Sequence, residues 1–420
     1  MQLCIQDPSY AHSMYLHESL LMACKNGING GGAYAFASKG GAELLLADEI
    51  FNDFMKNGKY YLIVGMDDIT NIKALKTLKL FENKYNGHLT IKAYIHNSRK
   101  STFHPKCSWF QNAQGGYLVI GSGNLTERGL RHNRELYSVI NCEEQVLKEI
   151  VDEWNSWILH SKPFLFDLDD PLVLGIAVKN ETKAFAISKI KQETERIKSL
   201  DDESLTDIFK NQPKDISSQN SRRVSKSDEE PKQVTPRPIV SIPGSAIIDE
   251  DDAYWEIGYD SPILVAEIPK SGNRWKQVNF SKEIFENYFG ATCGENGTYR
   301  IVLKSVKNDG TLGDIEVRPS VSVSSHNYRF ELNAATGKDY PTDGNRPIGV
   351  FAKVAERDFL YELVMPEDSG YTQLKTALKS ASKLESNKMK RLSFSCKQIS
   401  SITPDLTIWQ RIGKESNENK

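Results

Sequence analysis

The sequence predicts two folded parts of different class, a layered α/β domain followed by a mostly β domain. Three observations predict this. Up to about residue 190, short apolar runs alternate with amphipathic stretches of helical spacing, the mark of strands and helices packed in layers. Between 211 and 238 large apolar residues are scarce, and Ser, Lys, Asp, Glu and Pro are abundant; such a composition cannot bury enough surface to order itself alone. After Ile239 short strands follow one another, separated by turn signals such as Asn308-Asp309-Gly310, which suggests a small barrel. The boundaries read this way are a first domain over 1–190, a charged linker over 191–240 and a second domain over 241–420.

In the first domain, Ala33–Ser38 reads as a strand and Ala42–Lys56 as a helix ending near Asn57-Gly58. Tyr60–Val64 is a buried strand, and Ile69–Tyr85 a helix closed by Asn86-Gly87. Leu89–Ile95, Lys106–Phe110, Tyr117–Ile120 and Leu136–Ile140 read as strands. The amphipathic stretch Glu143–Leu159, with Trp154 and Trp157, reads as a helix. Ser188–Lys210 is charged and helix-compatible. In the second domain the expected strands are Ile263–Ile268, Tyr299–Val306, Ile315–Val323, Asn327–Leu332, Ile348–Ala355, Leu360–Met365 and Arg391–Ser395, with a short helix at Ser281–Tyr288.

The 420 residues are 39% hydrophobic and 26% charged, as in soluble globular proteins. No run of 18 apolar residues is present, so nothing reads as a membrane span. The opening MQLCIQDPSY lacks the basic and apolar regions of a secretory signal, so a cytoplasmic location is expected. The net charge of -2 neither favours nor excludes nucleic acid, because a local basic patch suffices for phosphate contacts. The six cysteines form no CxxC pair and no zinc-ligand spacing, and are expected as reduced thiols. No metal and no other cofactor is expected.

The chemistry is concentrated in residues 103–137. His104 and Lys106 are two apart, so on a strand an imidazole and an ammonium face the same space. A strand then runs into the turn Gly121-Ser122-Gly123-Asn124, whose glycines let backbone approach a phosphate. Glu135 follows ahead of another apolar strand. These types suit phosphodiester cleavage. An imidazole can attack phosphorus and form a phosphohistidine. An ammonium and an amide can stabilise the non-bridging oxygens. A carboxylate can fix the imidazole's tautomer. Fixed donors then do what magnesium does in other nucleases. Ser122 reads equally as a phosphate contact or a turn-stabilising hydroxyl. His132 and Arg134, which flank Glu135, could contact DNA phosphate but read more readily as solvated charges.

The series His104-Pro105-Lys106, Gly121-Ser122-Gly123-Asn124-Leu125-Thr126 and Asn133-Arg134-Glu135 resembles the HxK signature of the phospholipase D superfamily. More narrowly, it is similar to the phospholipase-D-like restriction endonucleases typified by NgoFVII and BfiI. The resemblance implies a catalytic domain with a mixed sheet flanked by helices. It implies His104 as nucleophile with Lys106, Asn124 and Glu135 completing the site, and metal-independent cutting of double-stranded DNA at or near a specific sequence. The region after about 240 matches the family's C-terminal B3-like pseudobarrel in size and strand richness. The full superfamily signature is HxKxxxxD; here Gln111 stands at the aspartate position. The restriction branch typically lacks that aspartate, so the departure favours it over lipid hydrolases.

His160-Ser161-Lys162 is formally a second HxK, but no Gly-Ser-Gly-Asn turn follows it. Family enzymes with one motif pair two chains across a two-fold axis, so the resemblance implies a homodimer through the nuclease domain. His104 of one chain would attack, and that of the other would act as general acid, then base. Some relatives work with a separate ATP-driven subunit; this chain has no GxxxxGK[ST] phosphate loop, so any ATP dependence belongs to a partner.

Two runs in the second domain read as DNA contacts. The first contains Lys270, Asn273, Arg274, Trp275, Lys276 and Gln277; the second contains Ser325, His326, Asn327, Tyr328 and Arg329, with Lys338 and Arg346 beyond it. Arg and Lys can pair with guanine, Asn and Gln with adenine. The resemblance implies two such arms gripping the major groove. Two alternatives stand beside a site-specific nuclease: a phosphodiesterase of little sequence preference, and a DNA-binding protein with a vestigial site.

Overall fold

The computed structural model describes residues 1–10, 13–96, 101–187, 189–190, 252–270, 275–291, 298–319, 328–381 and 389–413. The chain divides into two compact units, one made of Met1–Glu181 with Glu250–Lys420, the other of Thr182–Asp249. The second unit holds the expected linker; among its described residues, 182–187, 189 and 190 are helical.

The N-terminal lobe of the first unit runs β1 (Gln2–Gln6), α1 (Leu16–Cys24), β2 (Asn29–Tyr34), α2 (Lys39–Leu46), α3 (Glu49–Phe54), β3 (Lys59–Gly65), α4 (Ile72–Lys84) and β4 (Leu89–Tyr94). It continues with β5 (Lys106–Asn112), β6 (Gly115–Gly121), β7 (Glu135–Glu143), α5 (Glu144–Ser161) and β8 (Leu165–Phe166). A helix that starts at residue 171, α6, closes the lobe. The strands form one sheet in the order β1-β7-β6-β5-β2-β3-β4-β8. β2, β3 and β4 are parallel and the other pairings antiparallel. This is the expected mixed sheet flanked by helices. Alternation along β5 separates the faces. Ser108 shares hydrogen bonds with Tyr34 and Tyr60 on one side, and Trp109 meets Trp154 of α5 on the other.

The expected helix over 42–56 is two helices. Asp48 interrupts it, because its side chain accepts from the Ile50 amide and starts α3, a role short polar side chains fill better than helix interiors. The expected strand at 33–38 begins earlier, at Asn29. Glycines 30–32 hid it, since glycine is a poor strand former by propensity. Their need is steric: a Cβ on Gly30 would lie 2.9 Å from the Tyr60 ring and the Trp109 carbonyl.

The C-terminal lobe is mostly β. A six-stranded sheet has the order β12 (Glu316–Pro319), β11 (Arg300–Ser305), β15 (Asp358–Val364), β14 (Ile348–Ala355), β9 (Pro262–Glu267), β16 (Arg391–Ser395). A short ladder pairs β10 (Gln277–Asn279) with β13 (Arg329–Glu331). Three helices accompany them, α7 (Lys282–Asn287), α8 (Tyr371–Ala381) and α9 (Cys396–Ile402); the last two were not expected. The aromatic rings of Phe280, Phe285, Phe289, Phe330, Phe351 and Phe359 pack together inside the lobe. A second cluster is continuous across both lobes and includes Leu16, Leu125, Leu130, Trp255, Val302 and Leu360.

Candidate active site

Register brings the four expected residues to one end of the large sheet. Lys106 opens β5 opposite Tyr34, the last residue of β2. Gly121 ends β6 opposite Tyr137, so the turn bearing Ser122 and Asn124 leaves the sheet at the same end. Glu135 opens β7, paired with Gln6 of β1. His104 precedes β5 by two residues and is exposed.

The Lys106 Nζ lies 3.0 Å from the Nδ1 and 3.1 Å from the Nε2 of His104, and 3.2 Å from its carbonyl oxygen. An ammonium has donors only, so this contact suits a neutral imidazole offering a lone pair. Burial pushes the Lys106 ammonium below the usual lysine range, opposed by the Glu135 carboxylate. Phe36 meets the His104 ring edge-on at 6.4 Å.

The expected bond between Glu135 and His104 is not made. Among the described residues Glu135 instead accepts from the Ser122 hydroxyl and, at 3.0 Å, from the Asn133 amide. Ser122 in turn accepts from the Leu136 amide at 3.1 Å. Glu135 thus holds the Gly121–Asn124 turn in place and faces Lys106 electrostatically. Asn124 contributes a buried carbonyl oxygen with no hydrogen-bond partner among the described residues. A buried orphan acceptor is unusual in a native fold.

One of the two neighbouring residues departs from expectation. His132 is buried, stacked on Tyr254 with ring centroids 3.4 Å apart. It is not a solvated charge, because the C-terminal lobe covers it. Arg134 is exposed and pairs with Asp7 at 3.2 Å. Sequence reading missed Gln6, whose buried amide donates to the carbonyls of Gly129 and Asn133. An isolated glutamine on an edge strand carries no signal of that task.

In the C-terminal lobe, Asn273, Arg274, Ser325, His326 and Asn327 lie outside the described residues. The β10–β13 ladder, which pairs Asn279 with Arg329, joins the stems of the two expected arms. Trp275 is a core residue, correcting its reading as a solvent-facing contact. It is buried against Tyr340, and its indole donates to the Lys338 carbonyl at 3.1 Å. Lys276 and Gln277 both reach Glu331. Arg346 pairs with Glu267 at 3.0 Å, Lys270 is exposed near the Tyr340 ring, and Tyr328 packs on Phe285.

Residues 45–162, which hold all four expected catalytic residues, match a family model described as "Cardiolipin synthase, PLD-like domain". The chain therefore carries a phospholipase-D-like domain. No curated protein matches it significantly. Among solved structures it is similar to a phospholipase D family member, Nuc from Salmonella typhimurium, at 13% identity and TM-score 0.29, covering 40% of this chain and 95% of that one. It is also similar to NucT from Helicobacter pylori, at 12% identity and TM-score 0.26, covering 34% and 86% of the two chains. A third is the phosphatidylserine synthase of Haemophilus influenzae, at 15% identity and TM-score 0.29, covering 46% of each chain.

Proposed function

We propose that this chain is a site-specific DNA endonuclease that hydrolyses phosphodiesters through a covalent phosphohistidine at His104, without a metal. The observation that carries the reading is the convergence, inside the phospholipase-D-like domain, of His104 and its Lys106 contact with the turn bearing Asn124 and the strand opened by Glu135. A ring nitrogen of His104 attacks phosphorus, the phosphorus–oxygen bond to the leaving strand breaks, and that oxygen takes a proton. Lys106 and Asn124 stabilise the charge on the non-bridging oxygens. Water then attacks the phosphohistidine and frees the imidazole.

The proton donor for the leaving oxygen is His104 of a second copy, in a homodimer through the nuclease domain. What supports this pairing is an uncovered part of the sheet. Ile5, Leu136 and Ile120 are 67%, 52% and 48% exposed on the face that carries α5. Ile5 and Leu136 are register partners, one step from the Gln6–Glu135 pair. An apolar patch against the active-site end suits a second copy there.

Sequence choice is assigned to the C-terminal lobe, read as a B3-like domain with double-stranded DNA held between the two arms. The joined stems at Gln277–Asn279 and Arg329–Glu331 support that placement. Plasmid of mixed sequence incubated with the protein in EDTA tests the whole reading. Discrete bands are expected. A smear replaces it with a phosphodiesterase of little preference, and intact plasmid with a DNA-binding protein whose site is vestigial.

A further inference from the structure

Ten residues separate Asn124 from Glu135, and they hold both ends of the site. Within them Arg128–His132 forms a π-helical turn, a rare conformation that concentrates at functional sites. The turn is packed onto Asn124 without slack: a Cβ on Gly129 would lie 2.5 Å from the Asn124 nitrogen. At the other end Asn133 donates to Glu135.

The middle of this segment points away from the site, into the C-terminal lobe. Arg131 is fully buried. Its Nε donates to the carboxylate of Asp358, the first residue of β15. Its Nη2 donates to the carbonyls of Arg300 and Arg357 at 3.1 and 3.3 Å, and its Nη1 to Glu18 at 3.4 Å. The guanidinium lies 4.2 Å over the Tyr15 ring. The receiving side is equally fixed. Tyr254 donates to Asp358 at 3.1 Å, and Arg357 donates to both oxygens of Glu18 at 3.0 and 2.8 Å. A buried ion pair is weak ground for stability, since apolar residues of similar volume often do as well. What the pair provides is geometric: a planar fork fixes distance and direction together.

We propose that Arg131 is a positioning residue, whose buried bond to Asp358 makes the C-terminal lobe set the placement of Asn124 and Glu135. The nuclease reading defines what is positioned; the tether itself does not depend on it. A second buried pair between the lobes, Arg300 with Asp48 at 2.6 Å, serves as control, since Asp48 engages the Arg300 guanidinium whereas Arg131 meets that residue's main-chain carbonyl. Among the described residues Asp48 makes no hydrogen bond to residues 124–135.

The test compares the full chain with Asp358→Asn, the conservative Arg131→Lys, and Asp48→Asn, all at temperatures where each is folded. Amide exchange across 123–135 is measured first, without substrate. It is expected to quicken about tenfold in Asp358→Asn and Arg131→Lys, and not in Asp48→Asn. Hydrolysis of bis(4-nitrophenyl) phosphate is measured next. kcat is expected to fall about a hundredfold in the first two with KM nearly unchanged, the pattern of displaced catalytic groups. If Asp358→Asn does not fold, Arg131→Lys carries both readouts. Exchange that stays at the wild-type rate, or that quickens equally in Asp48→Asn, overturns the proposal. So does faster exchange with an unchanged kcat. A wild-type chain that cleaves no diester sinks the nuclease reading, while exchange still decides whether Arg131 tethers the segment.

Discussion

On the proposed reading, Asn124 serves chemistry at some expense to stability. Its carbonyl oxygen is buried without a partner among the described residues, and an orphaned buried acceptor costs about 1–3 kcal/mol of desolvation. Asn124→Ala removes that penalty together with the amide donor. The melting temperature should hold or rise, while kcat falls about a hundred- to a thousandfold, as when an oxyanion donor is lost. Calorimetry and single-turnover cleavage check the two signs; a stability loss equal to the activity loss would make Asn124 a packing residue. His104 and Lys106 were legible in the sequence because their spacing is local: two residues apart at the entry to β5, they meet although His104 lies ahead of the strand. The bonding of Glu135 was not legible, since Ser122 and Asn133 compete for the same carboxylate and spacing does not choose among them.

At the scale of elements, the uncovered face around Ile5, Ile120 and Leu136 is the feature with the most direct consequence. Ile5→Lys with Leu136→Lys places two charges where the second copy is expected to dock. Sedimentation should show monomers, and cleavage should collapse although His104 and Lys106 are intact. Dimers that survive the double substitution would place the interface elsewhere. β1 itself was not read from the sequence. Gln2–Gln6 carries Leu3, Cys4 and Ile5 between two glutamines, but Leu3 and Ile5 are exposed and only Cys4 and Gln6 are buried. The reverse holds for β3, where Leu62, Ile63 and Val64 are all buried and the unbroken apolar run gave the strand away.

At the scale of the whole molecule, the C-terminal lobe covers His132, which was expected as a solvated charge. Both His17 and His132 are enclosed, with neither ring nitrogen hydrogen-bonded among the described residues. Burial first, then nearby cationic side chains, hold both well below the ordinary histidine value of 6.5. As pH falls below 6.5 the unfolded chain takes up a proton at each ring and the folded chain does not. Stability therefore drops by about 1.4 kcal/mol per pH unit for each histidine. His132→Phe keeps the stack on Tyr254, and its unfolding free energy should fall by about 1 kcal/mol less than wild type between pH 6.5 and 5.5. Denaturant titrations at the two pH values check it, and equal falls would show His132 to be accessible to protons. The burial of His132 was illegible because it depends on Tyr254 and Trp255, which come from the far side of the linker.

The central claim is that the His104 imidazole becomes bonded to phosphorus. Acid-free quenching of a reaction in EDTA, followed by digestion and mass spectrometry, tests it most directly. The account predicts a DNA adduct, stable in alkali and labile in acid, on the peptide containing His104 and absent from His104→Ala. Cleavage that proceeds with no adduct on that peptide, or that starts only when magnesium is added, contradicts it.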